Sequence, residues 1–326
     1  MSLRRPDLRE VAVGNEQVSA EDLHQVLQTE VRKLRTGADW AKWLDAAALF
    51  PSFGFGNVVL INLQMPHANW VARAQAWEKL GRRVIKGRAI RILEPIRSQT
   101  AMGAAFEAAA ADGRVHHQVI GFRVGSVYDV TDTVGPPIHL PPVPARGGHT
   151  PPNGLWDALA QEASKDGFTV DVRPTGDASA GFTDFHAKQI VVADHLDDLT
   201  AATRLAHEVG HMRLHALPEV TGAGSVMCQG VREIEAESVA YIVLAHHGLS
   251  LEASSFDYVA GWAASVDPQQ PEDVVKATGA RVVNAARQLL NSTSQYLKAN
   301  RPSLPPVPAR APDSLFLPPD IDGPTL

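Results

Sequence analysis

The pentapeptide His207-Glu208-Val209-Gly210-His211 lies in a run of good helix formers, Leu199-Thr-Ala-Ala-Thr-Arg-Leu-Ala-His-Glu-Val-Gly-His-Met-Arg-Leu-His215. Positions four residues apart share one face of a helix, so His207 and His211 present their imidazoles to the same point. This HExxH spacing provides two nitrogen ligands for zinc and places Glu208 where it can take a proton from a water molecule on the metal. We therefore predict a helix over residues 199–215 that carries a mononuclear zinc site of the metallopeptidase type, with Glu208 as the general base.

A third protein ligand is required, and it should leave one position open on a catalytic zinc. The segment Glu233-Ile-Glu-Ala-Glu237 begins 22 residues after His211 and falls in a second helical stretch, residues 231–248. Glu233 and Glu237 are four residues apart and share a face. We predict Glu233 as the ligand and Glu237 as the group that holds a ligand histidine by its other ring nitrogen. Glu235 lies about 200° around the helix from Glu233 and is predicted to face solvent.

Four further residues could contribute to the site. His215 lies one helical turn beyond the motif and is a weaker ligand candidate. Cys228 is expected in the loop between the two helices, where a small loop or buried residue is favoured over a metal ligand. Tyr241 and Tyr258 are candidate donors to the oxyanion of a transition state.

Length and composition bound the class of protein. The chain has 326 residues, enough for about two domains of ~150 residues each, and its hydrophobic and charged fractions of 44% and 20% are ordinary for a globular protein. No apolar run reaches the roughly 18 residues that a membrane span needs. The single cysteine excludes an internal disulfide and favours a reducing, cytoplasmic setting. The net charge of −6 argues against a wholly basic nucleic-acid binder.

Proline-rich stretches divide the chain. The predicted parts are a flexible arm (residues 1–17), an α+β domain (18–134), a Pro/Gly-rich linker (135–153), a metallopeptidase domain (154–299) and a disordered Pro-rich tail (300–326). The sequence LPPVPAR occurs at residues 140–146 and again at residues 304–310. Two polyproline spacers are the favoured interpretation, and a duplicated docking peptide is the alternative.

Hydrophobic periodicity predicts the elements of both domains. In the first, helices are expected within residues 20–50, 58–64 and 70–80, and strands within residues 82–96 and 115–130. In the second, helices are expected at residues 156–164, 199–215, 231–248, 253–265 and 271–298, and single strands at residues 168–172 and 182–193.

A local basic surface stands out in the first domain. Residues 71–97 hold eight basic and two acidic side chains, with aromatic residues among and beside them. Basic grooves with aromatic faces bind single strands, because stacking tolerates any base. The predicted DNA-binding residues are Asn57, Gln64, Trp77, Arg82, Arg83 and Lys86. In the alternative, which stays open, the tryptophans belong to the core and the charges to a solvated strand pair.

Segments between residues 20 and 298 carry a family resemblance. In the second half they are Leu205-Ala-His-Glu-Val-Gly-His211, Arg232-Glu-Ile-Glu-Ala-Glu-Ser-Val-Ala-Tyr241 and Tyr258-Val-Ala-Gly-Trp262. In the first half they are Gly56-Asn57, Leu60-Ile61, Gln64-Met-Pro66, Ala68, Trp77, Leu80-Gly-Arg-Arg-Val84, Lys86-Gly87 and Val127-Tyr-Asp-Val-Thr-Asp-Thr133. With these segments the chain resembles the ArdC-type antirestriction proteins.

The resemblance implies an N-terminal single-stranded-DNA-binding domain and a C-terminal metallopeptidase domain of the ImmA/IrrE type. It also implies Glu233 as the third ligand, since the family's ligand glutamate lies three residues before the alanine of this segment. The chain departs from the family pattern in an Ala-rich insertion at residues 101–113, in the linker and tail, and at Thr131-Asp-Thr133, where a glutamine before the last threonine is usual.

Together these patterns predict an α+β protein of two domains. A small α+β domain binds single-stranded DNA, and a mainly helical, gluzincin-like domain with a short sheet uses zinc to hydrolyse a peptide bond in an unknown protein substrate. Two alternatives stay open. The protein could be an antirestriction or DNA-protective factor with a structural zinc, or a peptidase that cleaves a regulator and docks protein partners with its N-terminal domain.

Overall fold

The computed structural model describes residues 18–98, 118–138, 148–176, 180–215, 225–249, 256 and 259–300. Within these residues helices and short sheets are interspersed, which confirms the predicted α+β class. The helices are α1 (Ala20–Val31), α2 (Gly37–Leu49), α3 (Phe55–Gln64), α4 (Ala74–Lys79), α5 (Leu155–Lys165), α6 (Asp198–His215), α7 (Ser225–His246), α8 (Val259–Val266) and α9 (Pro271–Ala299). The strands are β1 (Val71–Ala72), β2 (Arg83–Val84), β3 (Ile90–Ser98), β4 (Gln118–Asp129), β5 (Thr133–Val134), β6 (Thr169–Val172), β7 (Gly181–Asp184) and β8 (Gln189–Val192).

In the first half, three helices precede a small antiparallel sheet. Ser19 and Thr36 start α1 and α2 with reciprocal capping boxes, which satisfy amide groups that the first helical turn leaves unpaired. The sheet has the order β1-β4-β3, and β2 pairs with β5 in a separate ribbon. Residues 70–80, predicted as one helix, divide into β1 and α4. The buried Asp129 carboxylate accepts hydrogen bonds from the amides of Asn69 and Trp70 and holds this stretch against β4.

In the second half, the sheet has the order β6-β8-β7, with β6 parallel and β7 antiparallel to β8. Residues 182–193, predicted as a single strand, belong instead to the hairpin β7–β8. The reversal has a local cause, because the Asp184 carboxylate accepts hydrogen bonds from the amides of His186 and Ala187. Lys188 completes the turn with a φ of 50°.

Helices α6 and α7 lie side by side and run antiparallel, since His207 meets Glu237 and His211 meets Glu233. Gly210 permits their close approach: a Cβ atom there would lie 3.1 Å from the backbone of Ala236. Helix α7 begins at Ser225, so Cys228 falls inside it and not in the predicted loop.

The two halves share one hydrophobic core. Fully buried Trp40 on α2 donates from Nε1 to the Ser238 hydroxyl on α7 over 2.9 Å, and Arg287 on α9 donates to the carbonyls of Pro51 and Phe53. The division into two domains therefore stays a prediction. The arm, most of the linker, both LPPVPAR segments, the Ala-rich insertion and the tail after residue 300 lie outside the described residues. Of the helices described, none has the length and apolar character to cross a membrane.

Candidate metal centre

Three side chains from α6 and α7 converge on one point. The Nε2 atoms of His207 and His211 lie 3.0 Å apart. One carboxylate oxygen of Glu233 lies 3.3 Å from His207 Nε2, and the other lies 3.4 Å from His211 Nε2. Among the described residues these three form a group that could hold a metal ion, with all ligand atoms within 4.8 Å of one another.

The spacing of these atoms fits a small divalent cation. Zinc bonds of about 2.0–2.1 Å at tetrahedral angles place ligand atoms about 3.3 Å apart, close to the separations observed. Two imidazoles and one carboxylate form a donor set suited to zinc, and three protein ligands leave a position for water. The histidines are largely buried, whereas the Glu233 side chain is 55% exposed, so solvent reaches the group on the Glu233 side.

The electrostatics of the cluster favour a positive charge at its centre. Burial lowers the pKa of His207, but hydrogen bonds with Glu233 and Glu237 outweigh it and raise this pKa to about 9. Hydrogen bonds from His207 and His211 hold the pKa of the Glu233 carboxyl well below its usual range. A proton on His207 thus occupies the position that a cation would take.

Glu208 lies beside the cluster in a buried environment, with 3% exposure. The Thr183 hydroxyl on β7 donates to its Oε2 over 2.8 Å, and the Arg204 guanidinium lies 3.6 Å from its Oε1. These contacts fix the orientation of the carboxylate. Sequence reasoning missed both partners. Arg204 could have been found from its spacing four residues before Glu208, but Thr183 has no sequence signal, since the fold alone brings β7 to α6.

Each histidine of the motif also has a partner for its other ring nitrogen. His207 Nδ1 lies 2.9 Å from Glu237 Oε2, and His211 Nδ1 lies 3.1 Å from His215 Nδ1. His215 therefore contacts His211 on the ring nitrogen that faces away from the metal group and is not itself a member of that group. The prediction that Glu235 faces solvent is wrong. The residue is 3% exposed and its side chain forms a hydrogen bond with His215. Helix α9 covers this side of α7 and brings Arg281 to Glu235.

Of the two tyrosines predicted as oxyanion donors, the structure describes Tyr241, which lies away from the cluster. The Tyr241 hydroxyl donates to Asp45 of α2 over 2.9 Å, and its ring lies against Phe256. It thus faces the first half of the protein and not the His–Glu group, which corrects the prediction. Tyr258 lies outside the described residues.

Asn57 and Gln64, predicted to bind DNA, instead complete the sheet. The Asn57 side-chain amide donates to the carbonyl of Leu93 and accepts from its N–H, both over 2.9 Å. Gln64 makes the same pair of bonds with Arg91, over 2.8 and 2.9 Å. Among the described strands, β3 has a neighbour on one side, and the two amides from α3 bind its backbone groups on the other side.

The other predicted DNA-binding residues fall into two groups. Trp77 is 2% exposed and donates from Nε1 to the Tyr128 carbonyl, and Arg82 binds Thr133, Gly135 and Pro136. Both therefore serve the fold. Arg83 and Lys86 are exposed on β2 and the turn that follows it, where they face solvent.

No protein-family model matches the chain, and no curated protein does. Solved structures similar to it include two of the antirestriction protein ArdC from plasmid R388. The metal-free structure has a TM-score of 0.44 and 16% identity, over 74% of this chain and 85% of that one. The Mn(II)-bound structure has a TM-score of 0.42 and 15% identity, over 76% and 86%. Both structures are of ArdC, the type of protein that the sequence motifs resemble.

Proposed function

We propose that this chain is a zinc-dependent metallopeptidase whose first half also engages single-stranded DNA. The observation that supports the peptidase is the position of Glu208, which follows His207 in α6 and whose charge helps to raise the pKa of this histidine of the metal group. A structural zinc site is normally closed by four protein ligands, whereas the described residues provide three, of which the Glu233 side chain is 55% exposed.

The chain's own residues can divide the work of peptide hydrolysis. Bound zinc supplies Lewis acidity and lowers the pKa of a coordinated water. Glu208 takes the proton from the attacking water and passes it to the leaving amine. Thr183 and Arg204 each contact one oxygen of the Glu208 carboxylate, which fixes its orientation, and Arg204 balances its charge. Glu237 orients the His207 ring through Nδ1.

The test of the peptidase is Glu208→Gln, with the exposed Glu78→Gln as a matched control. We expect the Glu208 variant to retain zinc, measured by elemental analysis, and to lose cleavage of cellular proteins by at least about 100-fold. Comparing the protein fragments in cells that carry the wild type or either variant would identify the substrate. If zinc content and biological activity both survive Glu208→Gln, the structural-zinc alternative is correct and the peptidase is not.

A second proposal concerns single-stranded DNA, and it rests on a revised set of residues. Exposed cations lie on β2, on the turn that follows it and at the far end of β3: Arg83, Lys86, Arg88 and Arg97. Because several phosphate contacts each release counterions, binding should weaken steeply as salt rises.

We expect Arg83→Ala with Lys86→Ala to reduce the affinity for a single-stranded oligonucleotide and the slope of its salt dependence. Lys276→Ala with Lys298→Ala on α9 is the control and should change neither. Fluorescence anisotropy over a salt series measures both quantities. Absence of binding by the wild type at low salt would leave a peptidase whose first half docks protein partners.

A further inference from the structure

A chain of three polar side chains extends from the metal group into the protein. His211 Nδ1 lies 3.1 Å from His215 Nδ1, and His215 Nε2 lies 3.0 Å from Glu235 Oε2. Arg281 on α9 donates from Nε to Glu235 Oε1 over 2.7 Å. The side chains of His215 and Glu235 are 7% and 4% exposed, so water has little access to this chain.

The ion pair between Glu235 and Arg281 sets the donor of each hydrogen bond that connects Glu235, a neutral His215 and His211. Glu235 is ion-paired with Arg281 and can only accept, so His215 Nε2 must donate to it. A neutral His215 then has its lone pair on Nδ1, which makes His211 Nδ1 the donor of the next hydrogen bond. His211 is left with its lone pair on Nε2, the atom that faces His207 and Glu233.

We propose that His215 is a positioning residue for the metal ligand His211, and that Glu235 and Arg281 fix the orientation and tautomer of His215 for this purpose. This inference rests on the metal site of the proposed function and deepens it. The two ligand histidines are then held differently. His207 is bound directly by the Glu237 carboxylate, whereas His211 is bound to a carboxylate through a second imidazole.

The arrangement also explains why a buried acid lies on the far side of α7 from Glu233. Glu235 does not contact the ligands, yet it is more buried than Glu233 or Glu237. A buried carboxylate needs partners for both oxygens, and here His215 takes one and Arg281 the other. Helix α9 thus contributes to the metal site through Arg281, which is connected to His211 by three successive hydrogen bonds.

The test measures metal affinity and ligand geometry in His215→Leu and His215→Gln, with the exposed His195→Leu as a matched control. Zn²⁺ affinity is read by competition with a chromophoric chelator, and the geometry by the visible absorption of the Co²⁺-loaded protein. We expect His215→Leu to weaken Zn²⁺ binding about 10–100-fold and to shift the Co²⁺ bands. Gln can accept from His211 and donate to Glu235, so His215→Gln should recover most of both.

Arg281→Met provides a second route; because it leaves one oxygen of the buried Glu235 without its partner, it should also lower stability, so Zn²⁺ affinity is measured on protein shown to be folded by circular dichroism. We expect it to weaken Zn²⁺ binding less than His215→Leu does. Wild-type affinity and Co²⁺ bands in His215→Leu would overturn the proposal, as would a His215→Gln protein no better than the Leu variant. If the wild type takes up neither Zn²⁺ nor Co²⁺, the proposed function itself fails, and the positioning role fails with it.

Discussion

At the scale of the residue, side chains with the chemistry of a binding site often serve the fold. Asn57 and Gln64 have amides that could read a base, but each already makes two hydrogen bonds to the backbone of β3. Leaving a backbone donor and acceptor unpaired in a partly buried position costs more than the lost contact alone. The role of such residues is therefore decided by which backbone groups lie opposite them.

We expect Asn57→Leu to lower the free energy of unfolding by about 1–3 kcal/mol, because the N–H and C=O groups of Leu93 lose their partner. Folded Asn57→Leu protein should bind single-stranded DNA as the wild type does. Urea denaturation measures the first quantity and anisotropy the second. The exposed Asn300→Leu serves as a control, and a selective loss of DNA affinity in Asn57→Leu would restore the original prediction.

A second prediction at this scale concerns His247. Burial, and then the neighbouring His246, lower the pKa of His247 to about 4. The unfolded chain takes up this proton near pH 6.5, whereas the folded chain does so only near pH 4. Stability of the metal-free protein should therefore fall as pH decreases from about 6.5 to about 4, by at most about 1.4 kcal/mol per pH unit from this group.

Urea denaturation at several pH values checks the prediction. His247→Leu removes the titrating group and should reduce the slope of the profile between about pH 6.5 and 5, where few carboxylates protonate. His207 opposes this slope only near the upper end of the interval, because its pKa of about 9 keeps the folded chain protonated while the unfolded chain loses the proton near pH 6.5. An unchanged slope in His247→Leu would contradict the assignment.

At the scale of the element, the distance between α6 and α7 sets the metal geometry. The ligand histidines lie on one helix and Glu233 on the other, and Gly210 lets the helices meet. The contact is with the backbone of Ala236, which cannot move aside as a flexible side chain could. A small residue within the HExxH motif thus controls how near the third ligand comes.

We expect Gly210→Ala to weaken Zn²⁺ binding, because a Cβ atom 3.1 Å from Ala236 pushes α7 and Glu233 away from the histidines. Its effect on overall stability should be small, since better helix propensity, about 1 kcal/mol, offsets overpacking of about 1–3 kcal/mol. Gly230→Ala on α7, with open space around its Cβ position, should retain wild-type Zn²⁺ affinity. Equal affinities in the two variants would contradict this account.

At the scale of the whole molecule, the first half closes the core of the second. Trp40 contacts Trp43 and Trp262 and bonds to Ser238, while Tyr241 bonds to Asp45. One face of α7 therefore carries Glu233 and Glu237, and another is covered by α2. Two domains joined by such an interface should unfold together.

We expect Trp40→Ala to destabilise the protein by about 3–5 kcal/mol, because it removes a fully buried aromatic side chain and leaves Ser238 without this bond. Hydrogen exchange should quicken by the same factor in β3–β4 and in α6, if the protein unfolds as one unit. Leu80→Ala, at a half-exposed position, is the control. Faster exchange confined to the first half would show that the halves unfold independently.

The sequence by itself determined those features that depend on spacing within one helix. His207 and His211 are four residues apart, as are Glu233 and Glu237, so their shared faces follow from 3.6 residues per turn. The α+β class followed from periodicity in the same way. Glu235 was misplaced because its surroundings include α9, whose residues begin 36 positions later along the chain.

Which polar side chains already have hydrogen-bond partners could be learned from the folded structure alone. It showed that Asn57 and Gln64 complete a sheet edge, that Thr183 holds Glu208, and that His215 links His211 to Glu235. It also showed that α2 covers α7 across the predicted domain boundary. The physical reason is the same throughout. A side chain's role depends on its hydrogen-bond partners, and here those partners come from distant parts of the chain that meet only on folding.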